Sequence, residues 1–137
     1  EVAKSLRRVT GKRNIKLLIS ADPQLAMQCE ADGVHWPERD SHRARKWPSR
    51  FNLMTASAHS RRALANLQRT GIDAALVSTV FQSSSPSSGT PMGPIRFRQL
   101  VRANQTPVYG LGGVEAENMA RIANFAGLAG VEGFDVG

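Results

Sequence analysis

The chain has 137 residues, of which 41% are hydrophobic and 21% charged, which is typical of one folded domain and argues against a disordered segment. Its formal net charge of +7 favours anionic partners, such as phosphorylated metabolites, an acidic membrane surface or nucleic acid, and does not choose among them. A single cysteine, Cys29, excludes an intramolecular disulfide; its apolar neighbours indicate a small buried residue without chemistry. No apolar run approaches the roughly 20 residues that cross a bilayer, so we expect a cytoplasmic protein with no membrane partner.

The first residues have helical periodicity. Val2, Leu6 and Val9 are apolar positions three and four residues apart, with basic residues between them. The helical pattern starts with the first residues of the sequence, which include neither an initiator methionine nor an N-cap residue. We therefore expect that further residues precede Glu1 in the complete protein.

Short apolar runs then alternate with helical patterns along the rest of the chain. Strands are predicted at 15–19, 33–36, 51–57, 74–80, 107–111 and 128–132. Helices are predicted at 23–30, 41–46, 95–103 and 115–125, and between Ser60, as N-cap, and Gly71. Strands without strict alternation, separated by helices, indicate a parallel sheet covered on both faces.

Six parallel strands fit two architectures. One is an open doubly wound sheet; the other is part of an eight-stranded barrel, which typically takes about 200 residues or more. A strand, a helix and a second strand before Glu1 would complete eight strands. The pattern alone leaves both architectures open.

Both architectures place binding groups at the carboxyl ends of the strands. Those ends are rich in small hydroxyl residues and glycines, which let hydrogen-bond donors approach a phosphate closely. The candidate phosphate-binding residues are Ser20, Ser57, Ser83, Ser84, Ser85, Gly112 and Gly113. The two glycines precede the helix predicted near Glu115, and the alternative is that they only form a tight turn. The alternative for the three serines is a disordered linker.

Two histidines follow predicted strands. A lone histidine there is more often a structural residue than an acid or base. We favour His59 over His35 as a general acid or base, because Ser57 and Ser60 flank it and a helix begins beside it. The alternative is that His59 only helps to start that helix.

Two carboxylates are candidates for a hard cation. Asp22 and Asp40 follow predicted strands, and Mg²⁺ prefers one or two carboxylates together with substrate phosphates. Either residue could equally be a helix cap. No group of residues has the spacing of zinc ligands.

Several stretches together resemble the thiamine phosphate synthase family, which includes related aminopyrimidine tautomerases. The stretches are KLLIS at 16–20, ADGVHWPERD at 31–40, TASAHS at 55–60, STVFQSSSP at 78–86 and PVYGLGGVEAENMARI at 107–122. The resemblance implies an α/β fold of the TIM (β/α)8 barrel type that lacks its first strand, helix and strand in this chain. The whole of residues 1–137 would then be a single, partial barrel domain.

The resemblance implies a transferase that joins an aminopyrimidine methyl diphosphate to a thiazole phosphate, with Mg²⁺ assisting the departure of diphosphate. Alternatives are a thiazole tautomerase-type isomerase using His59, and a non-catalytic barrel that binds a phosphorylated ligand. Nucleic-acid binding is not expected, because aromatic residues are only 6% and no recognition motif is present. A homo-oligomer is left open.

The resemblance also assigns residues by position. Asp40 matches a Mg²⁺-binding aspartate and Ser57 a serine at the diphosphate. Ser83 and Ser85 match two threonines of the thiazole-phosphate loop, and Gly113 matches a phosphate-binding glycine.

Other positions depart from the family pattern. Ala21 stands where a second Mg²⁺-binding aspartate belongs, and Ser20 replaces an asparagine. Pro86 replaces a phosphate-contacting lysine, and Phe134-Asp135 replaces a hydrophobic–serine pair, where a carboxylate is unfavourable. Asp22 could substitute for the missing metal ligand, although a shift of one residue at a strand end usually points the side chain elsewhere.

Overall fold

The computed structural model describes residues 1–131, in which parallel strands alternate with helices. The strands are β1 (Leu18–Ser20), β2 (Gly33–Trp36), β3 (Leu53–Ala58), β4 (Ala74–Val77), β5 (Val108–Gly110) and β6 (Gly127–Leu128). The α-helices are α1 (Val2–Lys12), α2 (Pro23–Gln28), α3 (Arg61–Leu67) and α4 (Gly93–Arg102), with 3-10 helices at Glu38–Lys46 and Met119–Arg121. No helix in this part of the chain is both long and apolar enough to cross a membrane.

The six strands form one parallel sheet in the order in which they occur along the chain. This order lacks the reversal that defines a doubly wound sheet and is the order found in a barrel. Within residues 1–131, however, β1 and β6 each pair with a neighbour on one side only, so the sheet is open. Closure into a barrel therefore stays a prediction.

The hydrophobic core lies between the sheet and the helices. Alternate strand residues, including Val34, Trp36 and Val77, pack there against Leu64 of α3 and Phe97 of α4. The other face of the sheet is not covered by these helices, and side chains such as Tyr109 remain partly exposed there. Coverage of this second face stays a prediction, although Thr55 and Ala74 on it are already buried. We call the uncovered surface the open face.

The helix starts follow from their capping residues. Asp22 Oδ1 accepts a hydrogen bond from the Leu25 amide at 2.9 Å and begins α2, and Ser60 Oγ accepts one from the Ala63 amide at 3.0 Å and begins α3. Both N-caps were predicted. Cys29 is buried, in agreement with its apolar neighbours.

Every predicted strand except 33–36 differs in its bounds from the structure, residue 132 of the last one lies outside the described residues, and one predicted helix does not form. β1 begins at Leu18 because the preceding Ile15 is exposed, β3 extends to Ala58, and β4 ends at Val77. The helix predicted at 115–125 is only a series of turns around the 3-10 helix Met119–Arg121. The side chain of Asn118 explains the difference: it accepts from the Glu115 amide at 3.0 Å and donates to the Gly113 carbonyl at 2.7 Å. Such local side-chain bonds compete with helix formation.

Two aspartates tie neighbouring strands together at the amino-terminal edge of the sheet. Asp32, just before β2, accepts a hydrogen bond from the Leu17 amide at 3.0 Å, and its own amide donates to the Leu17 carbonyl at 2.9 Å. Asp73, just before β4, makes the equivalent pair of bonds with Met54, at 2.7 and 2.8 Å. The same reciprocal link therefore occurs in two of the strand–helix units.

Asp32 also forms two ion pairs, one with Arg7 of α1 and one with Lys16 after it. Arg7 and Lys16 lie 3.0 and 3.2 Å from its carboxylate, whose side chain is only 7% exposed. The Leu17 amide, followed by Lys16 and Arg7, holds the pKa of this carboxyl below its ordinary value, against the opposing effect of burial. Asp32 therefore stays ionised wherever the protein is folded at neutral pH.

Candidate functional site

A cavity of about 160 Å³ opens at the carboxyl ends of β4 and β5. Its lining comes mainly from the serine-rich loop after β4 and the glycine-rich loop after β5, with Gly130 and Val131 after β6. Its lining includes five of the predicted phosphate-binding residues, namely Ser83, Ser84, Ser85, Gly112 and Gly113. Ser57, Ser20, His59 and Asp40 are not part of its lining. The structure thus brings together one part of the predicted site and places the other part elsewhere.

Glycine is required where the two loops meet. Gly113 has φ +61°, and a Cβ atom there would lie 2.1 Å from the backbone oxygen of Gln82. Gly112 has φ +92°, and its Cβ would lie 2.7 Å from the Thr79 side chain. Both residues therefore combine a left-handed backbone with a close approach of another loop. Their small size lets the loop after β5 pack directly on the loop after β4.

The prediction that a helix begins near Glu115, directly after these glycines, is wrong. What remains for binding an anion is a set of hydroxyl groups and backbone amides from two packed loops. Within the serine-rich loop, Ser83 Oγ accepts from the Ser85 amide at 3.2 Å, and Ser88 Oγ donates to the Ser85 carbonyl at 2.7 Å. These bonds give the loop a defined shape, which argues against the disordered-linker alternative.

Neutral donors dominate the cavity. Among residues 1–131, no lysine or arginine lines it, and Pro86 follows the serines directly. In the described part of the chain, the one ionisable residue that lines it is Glu115, whose side chain is exposed. A phosphate bound here would therefore depend on hydroxyl and amide donors.

A second polar cluster lies on the open face, on β2 and β3. His35 Nδ1 is 2.8 Å from Thr55 Oγ1, and His35 Nε2 is 2.9 Å from Ser57 Oγ. The sheet register places His35 between Ser20 of β1 and Thr55 of β3. Burial lowers the pKa of His35, which favours the neutral imidazole. Sequence reasoning ranked His35 below His59, because the contact with Ser57 depends on strand register and leaves no signal in the chain order.

His59 has a different environment. Its Nδ1 lies 2.7 Å from Glu38 Oε2, which also accepts the His59 backbone amide at 2.7 Å, and its side chain is 57% exposed. The residue borders a groove of about 600 Å³ that runs between α3 and α4 and that also contains Arg61 and Arg96. Ser60 and not His59 caps α3. A general acid–base role for His59 stays a prediction, and it would act outside the serine–glycine cavity.

A comparison with protein families supplies the decisive observation. The family model described as thiamine monophosphate synthase matches residues 1–134 of this chain.

The chain belongs to the thiamine monophosphate synthase family.

Individual members of the family agree with this assignment. The chain is similar to the thiamine-phosphate synthase of Lactococcus lactis subsp. lactis, with 27% identity over 134 residues that cover 96% of this chain and 62% of that protein. It is 29% identical to the putative thiamine-phosphate synthase 2 of Aquifex aeolicus, over 99% of this chain and 73% of that protein. The putative thiamine-phosphate synthase of Geobacter sulfurreducens is 31% identical, over 96% of this chain and 62% of that protein. The chain thus spans about three fifths of the length of most of these relatives.

Solved structures show the same fold. The thiamine phosphate pyrophosphorylase from Pyrococcus furiosus matches with a TM-score of 0.79 and 20% identity, over 95% of this chain and 63% of that one. FabK from Thermotoga maritima matches with a TM-score of 0.67 and 15% identity, over 93% of this chain and 45% of that one. At these identities the matches establish the arrangement of strands and helices and nothing about chemistry.

The predicted metal-binding positions of this thiamine monophosphate synthase family member are partly engaged in contacts within the chain. Asp40 Oδ2 lies 3.4 Å from Arg39 Nε, and Asp40 Oδ1 lies 3.9 Å from Arg43. Asp22 Oδ1 is engaged as the N-cap of α2, and Ala21 contributes no ligand. Within residues 1–131, no three histidine, cysteine or acidic side chains come together. Because Mg²⁺ needs only one or two protein carboxylates together with substrate phosphates, a magnesium site at Asp40 stays a prediction.

Two predicted positions cannot be placed. Phe134 and Asp135, the departures that would oppose phosphate binding, lie outside the described residues.

Ser20, another predicted phosphate-binding residue, ends β1 with an exposed side chain on the open face, in register with His35.

Proposed function

We propose that this protein is a transferase of thiamine biosynthesis that joins an aminopyrimidine methyl diphosphate to a thiazole phosphate. The observation that carries the proposal is the family match over residues 1–134. The relatives named thiamine-phosphate synthase, among them the Lactococcus protein, support it. We further propose that the sheet is part of a closed (β/α)8 barrel, because its strand order is sequential.

In this proposal the cavity between the serine-rich and glycine-rich loops holds the thiazole phosphate. Hydroxyls of Ser83 and Ser85 and backbone amides near Gly113 would donate to the phosphate oxygens. Ser57, near the carboxyl end of β3, would donate to the diphosphate of the other substrate. The two anionic groups would then hold the reacting carbon and nitrogen close together.

The bond changes balance without any residue acting as a base. The bond between the pyrimidine methyl carbon and the diphosphate oxygen breaks, and its electron pair leaves with diphosphate. The thiazole nitrogen lone pair forms the new bond to the methyl carbon. Because negative charge accumulates on the leaving diphosphate, hydrogen-bond donors there stabilise the transition state more than the ground state.

The alternative functions lack support from the geometry. An isomerase would use His59 as acid or base, yet this residue is paired with Glu38 and lies outside the cavity.

The test of the proposed function is product formation by the full chain. The protein is incubated with both substrates and Mg²⁺, and thiamine phosphate and released diphosphate are measured. We expect both products in equal amounts. We also expect Ser57→Ala to lower kcat/KM by about ten- to a hundredfold, the effect of losing one hydrogen bond to a charged group. Ser5→Ala, on the exposed surface of α1, is the matched control. No product at high enzyme concentration would reject the transferase.

Restoring the second metal-binding carboxylate is a separate prediction. Ala21 has φ +56°, a left-handed conformation that aspartate and asparagine adopt more readily than alanine. Ala21→Asp should therefore fold normally and lower the Mg²⁺ concentration for half-maximal activity by about tenfold. Ala21→Asn has the same backbone preference without the charge and should not change the Mg²⁺ requirement. Equal Mg²⁺ dependence of the two variants would contradict the prediction.

A further inference from the structure

The hydrogen bonds of His35 connect a buried hydroxyl to a more accessible one. Thr55 is 6% exposed, whereas Ser57 is only half-buried and lies nearer the carboxyl end of β3. His35 stands between them, with one ring nitrogen on each hydroxyl. The polarity of these two bonds decides whether Ser57 presents a proton or a lone pair to a ligand.

The buried hydroxyl allows the polarity to be assigned. Within residues 1–131, the Thr55 hydroxyl has His35 Nδ1 as its one side-chain hydrogen-bond partner. If Nδ1 carried a proton, it would donate to Thr55 and leave the Thr55 proton without an acceptor in a buried site, which is unfavourable. We therefore assign Thr55 as the donor and an unprotonated Nδ1 as the acceptor.

The second bond follows from the first. Burial lowers the pKa of His35, so the imidazole is neutral and carries a single proton. With Nδ1 unprotonated, that proton is on Nε2, which donates to Ser57 Oγ at 2.9 Å. The Ser57 oxygen then accepts from His35 and has its own proton free to donate elsewhere.

We propose that Thr55 and His35 form a relay that orients the Ser57 hydroxyl as a hydrogen-bond donor toward a phosphate oxygen of the substrate. The relay depends on the proposed function at one point: the diphosphate of the substrate has to bind at Ser57. His35 is a positioning residue that touches no substrate. In the opposite tautomer, the Ser57 proton would point at the imidazole and a lone pair would face the anion, which would repel it.

The tautomer can be measured directly, without any substrate. The full chain is labelled with ¹⁵N at histidine, and the protonation of each ring nitrogen of His35 is determined by NMR at neutral pH, with His35→Gln used to assign the signals. We expect a neutral ring with the proton on Nε2. We expect Thr55→Val to shift the population toward the other tautomer, and Thr55→Ser to retain the wild-type spectrum. A proton on Nδ1, or a charged ring, in the wild type would overturn the relay.

The function of the relay can be tested with inorganic pyrophosphate and Mg²⁺, measured by calorimetry. A glutamine amide reaches the position of Nε2, whereas an asparagine amide reaches only that of Nδ1. His35→Gln should therefore bind within about threefold of the wild type, while His35→Asn and His35→Leu should bind about tenfold more weakly. In a Ser57→Ala background, His35→Leu should have no further effect.

The outcomes separate the relay from the proposed function. If the wild type binds no pyrophosphate, the proposed binding of diphosphate at Ser57 is rejected, and the relay then has no ligand to act on. If the wild type binds and all three His35 variants bind equally well, only the relay fails. A purely structural role would give equal losses for His35→Gln and His35→Leu, together with lower thermal stability of both, and this result would also overturn it.

Discussion

Replacing Gly113 with alanine is expected to lower the free energy of unfolding by about 2–4 kcal/mol and to abolish phosphate binding in the serine–glycine cavity. Two effects add at this position. The backbone has φ +61°, and the new Cβ would lie 2.1 Å from the Gln82 carbonyl oxygen. Because the obstacle is backbone and not a flexible side chain, the loop after β5 has to move away from the loop after β4. That movement separates the groups that would hold the anion.

Two other glycines separate the contributions. Gly93 has φ +77°, and a Cβ atom there would have no neighbour within 4 Å, so Gly93→Ala measures the backbone effect alone, about 1 kcal/mol. Gly89 is also unobstructed and has no left-handed backbone, so Gly89→Ala should change stability by less than about 0.5 kcal/mol. Urea unfolding and calorimetry with inorganic phosphate provide the measurements. If Gly113→Ala were no worse than Gly93→Ala, the two loops would not be packed as described.

Asp32→Asn is expected to lower the free energy of unfolding by about 2–3 kcal/mol at pH 7. The buried carboxylate accepts three hydrogen bonds, from the Leu17 amide, Arg7 and Lys16. An asparagine can accept on one oxygen only and turns an amide group toward the remaining donors. Arg7 and Lys16 are 35% and 60% exposed, so solvent screens them and most of the effect arises at the Leu17 amide.

The effect of Asp32→Asn should depend on pH in a defined direction. Because the folded protein lowers the pKa of Asp32, this carboxylate stabilises the fold above its unfolded pKa of about 3.9, and the stabilisation is lost as pH falls through the lower folded value. The difference between wild type and variant should be constant from pH 7 to about 5 and narrow below about 4. Asp73→Asn is the matched control, because its reciprocal link to Met54 includes no ion pair in residues 1–131, and it should be the milder change. A difference that persists undiminished at low pH would contradict this account.

The order of elements could be predicted from local patterns. Apolar runs, Asp22 with Pro23, and Ser60 are signals that neighbouring residues carry, and each matches a strand or a helix start in the structure. The prediction of the last helix was wrong for a local reason. The side chain of Asn118 forms hydrogen bonds with the turn before it, and hydrophobic periodicity does not reveal such bonds. Closure of the sheet depends on pairing between distant strands, which no local pattern specifies.

The candidate site was predicted in part for the same reason. Glycines and serines at strand ends are visible in the sequence, and the structure gathers five of them around one cavity. The bonds of His35 to Thr55 and Ser57 join residues 20 and 22 positions apart, and only the strand register brings them together. The ion pairs of Asp40 with Arg39 and Arg43 are local, and the spacing of Asp40 and Arg43 three residues apart is a signal for such a pair that the sequence carries.

The reciprocal links of Asp32 and Asp73 have a consequence at the opposite edge of the sheet. Each aspartate fixes how far one strand can slide along its neighbour. If β2 slipped by a single residue, His35 would rotate into the core and Trp36 would emerge in its place, because side chains alternate between the two faces. A change at Asp32 can therefore displace His35 and its hydrogen bonds to Thr55 and Ser57, although these three residues are unchanged in the sequence.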